Sequence, residues 1–442
     1  MTRSPCNQWN EARLADHATV KARLGWKGLK AEEYVLDGPI FLAAPNLRGG
    51  RIDFDHVDHI PEWRFVESPE IQLKIGDVLL VKDGSTLGMS GIVKSLPAPC
   101  TVNGSIAVIR ANQSVVSGFL YYLINSDRFQ RLIWVKRAGL GVPHLFQADL
   151  RGFRIPLPPL PIQSRIADIL STLDETIEQT ESLIEKHQQI KGGLMHDLFT
   201  RGITPDGHLR PAADEAPQLY KKSSMGLIPQ EWSLLNIEEL LANSPSPMRS
   251  GPFGSALLKS ELVEAGVPLL GIDNVFVERF EANFRRFVSR RKFEELSRYS
   301  VFPNDVAITI MGTVGRCCVI PPTIKEALSS KHIWVMTFDT ARVLPGLVCW
   351  QLNHAPWAKR WLARQSQGGI MEAIQSSTLR RLRIPVPPIE EQHRIYELYT
   401  RCTKFIALEG AHLSKLRELK SGLMQDLLTS RGSVNVTAAA NV

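Results

Sequence analysis

Apolar side chains recur at gaps of three or four residues, or at sums of such gaps, along two long stretches of the chain. In the first stretch they are Ile162, Ile166, Ile169, Leu173, Ile177, Ile184, Leu194 and Leu198. In the second they are Ile395, Leu398, Cys402, Phe405, Leu416, Leu419, Leu423 and Leu427. This spacing predicts two long amphipathic helices. The first, from about Pro161 to Leu198, would be roughly 55 Å long at about 1.5 Å per residue.

A proline tract precedes each stripe, and the two copies are in register. Residues 155–160 (IPLPPL) recur as residues 384–389 (IPVPPI), an offset of 229 residues (384 minus 155). The same offset relates Gln163 to Gln392. Proline stops the preceding element and suits the first turn of a helix. A repeat at about half the chain length predicts two equivalent halves.

The segments before the proline tracts predict a shared globular fold. Residues 77–81 (DVLLV) lead to a glycine-rich turn at 84–88, and residues 305–310 (DVAITI) lead to one at 312–315. Both patterns are typical of a buried strand that ends in a tight turn. We therefore expect two mixed α/β domains. Helices of nearly equal length favour an antiparallel pair that separates these domains, although each helix could instead pack on its own neighbouring domain.

Composition narrows the class of protein. The 442 residues are 44% hydrophobic and 22% charged, which is typical of a globular chain. The net charge of +7 is compatible with a polyanionic partner but is also common in proteins that bind none. The six cysteines show no C-x-x-C spacing, so we expect reduced thiols in a cytoplasmic protein. No apolar run approaches the roughly 20 residues that span a bilayer.

Motifs that carry chemistry are missing from the sequence. It contains no Walker A motif, no dinucleotide fingerprint, no Asn/Asp-Pro-Pro-Tyr/Phe tetrad, no G-x-S-x-G and no H-E-x-x-H. Residues 53–59 (DFDHVDH) carry Asp and His, which can bind a transition metal, but a solvated polar loop is the favoured interpretation. A metal-dependent nuclease that uses this loop is the enzymatic alternative. We otherwise expect no metal site and no catalytic residues.

Basic residues interleaved with aromatic ones occur in both halves. Residues 284–287 (FRRF) precede 290–292 (RRK), and residues 23–30 (RLGWKGLK) show a similar mixture. Lys and Arg hold phosphates, and Arg can also fork onto guanine in the major groove. Each segment alone could be an ordinary solvated surface. Their presence in both halves favours DNA.

These residues together resemble the specificity (S) subunit of type I restriction–modification systems, over nearly the whole chain. The most specific part is the repeated P-x-P-P tract, then Gln, then a helix ending K-x-G-L-M-x-x-L at 191–198 and 420–427. Residues 226–232 (GLIPQEW), 250–255 (SGPFGS) and 103–108 (NGSIAV) are also similar to the family. Glu391-Gln392 keeps the family's usual pair, whereas the first copy has Ile162-Gln163. Asn304 stands where the family has Gly.

The resemblance implies a domain order and a division of labour. Target-recognition domains would span 1–154 and 224–383, each reading one half of a bipartite double-stranded DNA target. Helical regions would span 155–202 and 384–432. Composition adds a linker at 203–223, which has prolines and a glycine but few apolar residues, and a disordered tail of small and polar residues at 433–442. The paired helices would set the spacer and bind two modification (methyltransferase) subunits. These carry S-adenosylmethionine, this chain binds no cofactor, and restriction subunits complete the complex.

The resemblance and the basic segments together nominate site residues. The DNA-binding candidates are Arg23, Lys27, Lys30, Lys82, Ser85, Thr86, Phe253, Ser255, Lys259, Arg285, Arg286, Arg290, Arg291, Thr313, Lys331 and His332. The partner-binding candidates are Gln163, Arg165, Leu194, Met195, Gln392, Arg394, Leu423 and Met424. A specificity subunit of a fused nuclease–methyltransferase that cuts on both sides of its site remains an alternative.

Overall fold

The computed structural model describes residues 9–23, 29–137, 144–365 and 374–429. They belong to two compact units. Met1–Leu183 with Glu409–Val442 make the first unit, and Ile184–Leu408 make the second. Each long helix therefore contributes its two ends to different units. Within the described ranges, no helix is long and apolar enough to cross a bilayer.

The first unit is a mixed α/β domain. Its strands are β1 Glu11–Arg13, β2 Ala18–Ala22, β3 Val35–Leu42, β4 Leu47–Arg48, β5 Arg51–Ile52, β6 Asp58–His59, β7 Val78–Val81, β8 Ser90–Ile92, β9 Cys100–Val102, β10 Ile106–Ala111 and β11 Arg154–Pro156. Its helices are α1 Leu14–His17, α2 Glu62–Val66, α3 Ser117–Ile124, α4 Asp127–Arg137, α5 Gln147–Gly152, the first part of α6 Leu160–Thr200 and the last part of α12 Ile389–Leu427.

The second unit has the same class of fold. Its strands are β12 Tyr220–Ser223, β13 Gly226–Pro229, β14 Ser233–Asn236, β15 Met248–Ser250, β16 Leu262–Val263, β17 Val267–Leu270, β18 Val275–Phe276, β19 Arg279–Phe280, β20 Phe287–Val288, β21 Ser300–Val301, β22 Val306–Thr309, β23 Cys317–Val319, β24 Ala327–Ser329, β25 Ile333–Met336 and β26 Arg383–Val386. Its helices are the last part of α6, α7 Ile237–Leu240, α8 Arg290–Glu295, α9 Pro345–His354, α10 Pro356–Gln365, α11 Ser376–Arg380 and the first part of α12 Ile389–Leu427.

Sheet topology confirms the predicted repeat. The four-stranded sheets have the orders β2-β10-β7-β8 and β15-β25-β22-β23. A parallel pair accompanies each sheet, β3 with β9 and β17 with β24. The predicted strands are β7 and β22. In β7, Val78 and Leu80 face one core cluster while Leu79 and Val81 face another. A strand buried on both faces needs an unbroken apolar run, which is why the sequence alternation is absent there.

The long helices pair with each other and also pack on the globular domains, so both predicted arrangements occur. In the first unit, Lys420 Nζ lies 2.5 Å from Asp174 Oδ1 and Arg417 donates to Glu181 at 2.7 Å, so the helices run antiparallel. The same helices also pack on the globular cores. Ile166 and Leu170 of α6 belong to the core cluster of the first unit. The far end of α6 and the start of α12 join a cluster of the second unit.

A buried glutamine joins each long helix to the domain before it. Gln163 Oε1 accepts from the backbone N–H of Val116 at 2.8 Å, and its Nε2 donates to the carbonyl of Pro158 at 2.8 Å and to that of Ser114 at 3.3 Å. Val116 caps the N-terminus of α3. One glutamine amide therefore satisfies three backbone groups at this junction.

Gln392 repeats this joint in the second unit. It accepts from the N–H of Leu344, the N-cap of α9, and donates to the carbonyls of Arg342 and Pro387, each at 2.9 Å. The shared glutamine is thus a structural element of each half.

A short hairpin of each unit carries charges that meet the helices. Arg51, at the start of β5, lies 3.3 Å from Glu178 of α6. In the second unit Glu278, between β18 and β19, lies 3.2 Å from Lys191 of α6 and 3.1 Å from His354. Burial would raise the pKa of Glu278, but His354 and Lys191 together lower it. The hairpin is thus basic and the helix acidic in the first unit, and the reverse holds in the second.

The segment predicted as a linker is held by a buried ion pair. Arg210 donates to Glu391 at 2.5 and 2.9 Å, and both side chains are nearly inaccessible to solvent. The Glu391 carboxylate also accepts from Ile203 N–H at 2.8 Å and from Trp232 Nε1 at 3.1 Å. Its counterpart Ile162 packs on the first core instead. The Glu-Gln pair thus has a polar role only in the second copy.

The turn before the central strand explains Asn304. Asn304 adopts φ 67°, and its counterpart Gly76 adopts φ 90°. Glycine enters this left-handed region without strain, and asparagine is among the few other residues that tolerate it. The departure from the expected glycine therefore preserves the turn.

Candidate DNA interface

A small cleft of about 170 Å³ in the second unit gathers four of the predicted residues. They are Lys259, Arg286, Lys331 and His332. Its other lining residues are Pro252, Gly254, Leu257, Leu258, Leu262, Leu269 and Ser330. Three separate parts of the sequence therefore converge on one surface, which no single motif indicates.

Local backbone requirements build one wall of this cleft. Gly251 donates its N–H to Ser330 O at 3.1 Å, and a Cβ at Gly251 would lie 2.0 Å from Ser329 O. Gly254 has φ 59°, in the left-handed region that glycine enters freely. The two glycines of the SGPFGS segment thus fix the loop against strand β24 and turn it into the 3₁₀ helix Gly254–Ala256.

The cleft has an excess of positive charge. Arg286 donates to Asp273 at 2.7 Å, which balances one cation. Lys259 and Lys331 are exposed, and no ion-pair partner faces either within the described ranges. Burial, with Lys331 and Arg286 close by, lowers the pKa of His332, which favours the neutral imidazole. Two lysines can hold phosphates, and a neutral imidazole can both donate and accept a hydrogen bond.

Other candidates of the second half lie around or away from the cleft. Phe253 and Ser255 are exposed on the loop that carries Gly254, and Arg285 is exposed next to Arg286. Thr313 Oγ1 is buried and finds no hydrogen-bond partner among the described residues.

Arg290 and Arg291 of α8 are engaged by carboxylates. Arg290 lies 2.6 Å from Glu326 and 3.2 Å from Glu294, and Arg291 lies 3.2 Å from Glu295. These pairs balance the basic run on the helix surface.

The first half gives a less complete interface. Arg23 is buried, lies over the ring of Phe41 at 5.5 Å, and has its pKa lowered by burial. Lys30 is exposed with Glu32 at 3.9 Å, and Lys82 donates to Asp83 at 2.7 Å.

Three further candidates complete the first half. Ser85 is exposed and Thr86 partly so, in the turn after β7. Lys27 lies outside the described residues.

Sequence reasoning missed Leu258, which lines the cleft and is 50% exposed. An exposed leucine one residue before Lys259 was a weak signal, because single surface apolar residues are common. With the exposed Phe253, it gives the rim of the basic cleft an apolar character.

Most partner-binding candidates are covered by the chain itself. Gln163, Gln392 and Met195 are buried. Leu194, Leu423 and Met424 pack against the core clusters. Arg165 is exposed, and Arg394 is half-buried with its Nε unpaired among the described residues. A partner of the helices would therefore mostly meet other side chains.

The Asp/His loop directs its histidines to other partners. His56 Nδ1 lies 3.1 Å from Asp53, and His59 Nδ1 lies 2.8 Å from the carbonyl of Gly38. Across the ranges that the structure describes, no three Asp, Glu, His or Cys side chains are grouped to hold a metal ion.

Comparisons with known proteins agree on one family. The family described as "Type I restriction modification DNA specificity domain" matches residues 35–188 and 274–418. The chain is 25% identical over 378 residues to the MjaVIII specificity subunit of Methanocaldococcus jannaschii, covering 83% of this chain and 81% of that one. It is 22% identical over 315 residues to the EcoKI specificity subunit of Escherichia coli, covering 68% of this chain and 61% of that one.

Solved structures show the same fold. The S subunit of a type I system from M. genitalium has a TM-score of 0.59 at 15% identity, over 98% of this chain and 99% of that one. The alternative of a fused nuclease–methyltransferase system is not favoured, since these matches are specificity subunits of type I enzymes. The chain belongs to the type I restriction–modification DNA specificity family, whose members recognise the DNA target while catalysis lies in other subunits.

Proposed function

We propose that the second unit reads one half of a bipartite DNA target through the basic cleft. The observation that carries this proposal is the convergence of Lys259, Arg286, Lys331 and His332 on one surface. Lys259 and Lys331 would hold phosphates and set the register on the duplex. The imidazole of His332, which also lines the cleft, can approach a base edge as donor or acceptor. The first unit, with the same topology, would read the other half.

We propose that the long helices bind two methyltransferase subunits, which supply S-adenosylmethionine, within a complex that also contains restriction subunits. Large apolar side chains remain exposed along both helices, namely Leu183, Ile190, Phe405, Leu408 and Leu419. Exposed apolar side chains in a row on a helix mark a surface that a partner covers. The helix length would set the number of base pairs between the half-sites, at about 34 Å per turn of duplex. The proposed place of action is the cytoplasm.

The DNA proposal is tested with a Lys259→Ala/Lys331→Ala variant in complex with its methyltransferase. Binding is measured on duplexes that carry the target sequence, which methylation mapping of DNA from cells expressing both subunits identifies. Losing two phosphate contacts should reduce the slope of log K against log salt by about 1.8. Lys222→Ala, an exposed lysine of β12, is the matched control. Unchanged affinity and salt slope in the double variant would refute the cleft as the DNA surface.

The helix proposal is tested by co-purification with the methyltransferase subunit. Leu408→Asp and Leu419→Asp place a charge at exposed apolar positions without opening a core, so the chain should fold but lose its partner. Leu173→Asp is unsuitable, because Leu173 is buried and its loss would unfold the helix pair. Ser414→Asp, at an exposed polar position of α12, is the control. Normal stoichiometry in both leucine variants would contradict the proposal.

The spacer role has its own test. Removing one helical turn, about four residues, from α6 and from α12 should change the number of base pairs between the half-sites. Both half-sequences should stay the same in methylation mapping. A changed half-sequence with an unchanged spacer would contradict the division of labour.

A further inference from the structure

Phe253 is an exposed aromatic ring at the edge of the basic cleft. Its side chain is 60% exposed, and its chain neighbours Pro252 and Gly254 both line the cleft. No other ring or cation lies over it among the described residues of the second unit. A single exposed ring is common on a protein surface, so what distinguishes Phe253 is its place beside a basic cleft.

The loop holds this ring on a rigid support. Gly251 anchors the loop to Ser330, and Phe253 itself has an extended backbone with φ −105° and ψ 152°. The carbonyl of Phe253 then accepts from Ala256 N–H at 3.3 Å. A side chain with two rotatable bonds on a fixed backbone loses little entropy when a ligand covers it.

The surroundings of the ring match the chemistry of a nucleic acid. Phosphates and flat apolar bases both lie along a nucleic-acid strand. Here two lysines without ion-pair partners among the described residues line a cleft together with the exposed Leu258, and the exposed Phe253 lies between two residues that also line it. Apolar side chains inserted at a base step, and aromatic rings stacked on bases, are established modes of protein–DNA contact. A purely apolar partner would leave the cations unmatched, whereas the phosphates of DNA match them.

We propose that Phe253 stacks on the face of a base at a step that opens within the half-site read by the second unit. This inference rests on the proposed DNA role of the cleft. It adds indirect readout to that role, because the cost of opening a step depends on its sequence. Phe253 is then a specificity-determining residue that reads deformability, while Lys259 and Lys331 hold the backbone on either side.

Phe302 provides a matched control for Phe253. It is 51% exposed on the same unit, but the guanidinium of Arg249 lies over its ring at 4.9 Å. Phe302→Ala therefore removes an exposed phenylalanine whose face is already occupied. Phe253→Tyr keeps a stacking ring in place, and Phe253→Ala removes it.

The experiment uses the complex with its methyltransferase and duplexes of the mapped target. 2-Aminopurine is placed at successive positions of the second half-site, other than the methylated adenine. The wild-type complex should change the fluorescence at one or two adjacent positions, and Phe253→Ala should abolish that change. Affinity should fall by about 5- to 150-fold, as expected for one aromatic–base stack. Phe253→Tyr and Phe302→Ala should behave as the wild type.

The outcomes separate this inference from the function on which it rests. If Lys259→Ala/Lys331→Ala weakens binding but Phe253→Ala does not, the cleft binds DNA and the stacking inference is wrong. If Phe253→Ala weakens binding while no 2-aminopurine position responds in the wild type, the ring contacts a groove and not a base face, which also overturns it. If neither variant changes binding, both the cleft and the inference fail.

Discussion

The buried pair of Glu391 and Arg210 gives the sharpest prediction about stability. Replacing Glu391 with alanine removes two charge-assisted hydrogen bonds from Arg210, which is buried at 4% exposure. It also leaves the N–H groups of Ile203 and Trp232 without an acceptor. The guanidinium keeps its bonds to the carbonyl of Arg201 at 3.1 Å and to Glu231, which is itself largely exposed.

These contacts set the expected magnitude. Breaking a buried ion pair from one side costs about 3–5 kcal/mol, because a charge remains buried without its counter-charge. Each orphaned N–H adds roughly 1 kcal/mol, and the residual bond to Glu231 offsets part of the total. We expect Glu391→Ala to lower the free energy of unfolding by about 3–5 kcal/mol. The double change Glu391→Leu/Arg210→Leu should cost only about 1–2 kcal/mol, since no charge is left behind.

Urea unfolding followed by circular dichroism measures these differences, and limited trypsin digestion at Lys221 and Lys222 reports on release of the segment after α6. Glu391→Ala should be cut faster than the wild type, and the double variant should be cut at an intermediate rate. Glu390→Ala, at an exposed position one residue away, should change stability by less than about 0.5 kcal/mol. The coupling argument would be refuted if the double variant lost as much stability as Glu391→Leu and Arg210→Leu lose in sum when each is made alone.

Three further outcomes are expected. Gln392→Ala should cost about 2–4 kcal/mol in urea unfolding by orphaning the N–H of Leu344, whereas the exposed Gln189→Ala should be neutral. Glu278→Gln should cost about 1.5–3 kcal/mol at pH 7. Because the folded-state pKa of Glu278 is lowered, its stabilisation is present above about pH 4.3 and is lost as the pH falls through the folded-state pKa, so wild type and variant should converge in acid; a constant difference would contradict this. Asn304→Gly should leave the melting temperature nearly unchanged, while Asn304→Ala should cost about 1–2 kcal/mol; equal stability of the two would show that the left-handed turn carries no strain.

Much of the fold followed from periodicity alone. The first stripe predicted a helix whose ends lie within two residues of the ends of α6. This works because spacing at three and four residues is a direct consequence of helical geometry. Periodicity could not say that the same helix meets a second helix at Glu181 and a globular core at Ile166. An apolar residue in the pattern predicts that its side chain is covered, but it does not identify the element that covers it.

The interface was less predictable, for two physical reasons. Composition marked residues 203–223 as a linker, yet Arg210 and Tyr220 are buried, since proline and glycine indicate irregular backbone and not loose packing. Arg290 and Arg291 looked like a DNA-binding run, but Glu294 and Glu295 stand four residues further along the same helix face, where opposite charges pair. That spacing was visible in the sequence. The convergence of Lys259 and Lys331 depends on tertiary folding and was not.

The glutamine joints have a consequence for how such chains change. Every atom that Gln163 and Gln392 bond to belongs to the main chain, so the joint is indifferent to the side chains of the domain it holds. A domain could replace its whole reading surface, or be exchanged for a foreign one at the proline tract, and still present the same two backbone groups, while the tract supplies the third. The same hydrogen bonds can therefore join recognition domains of different sequence to the same helix.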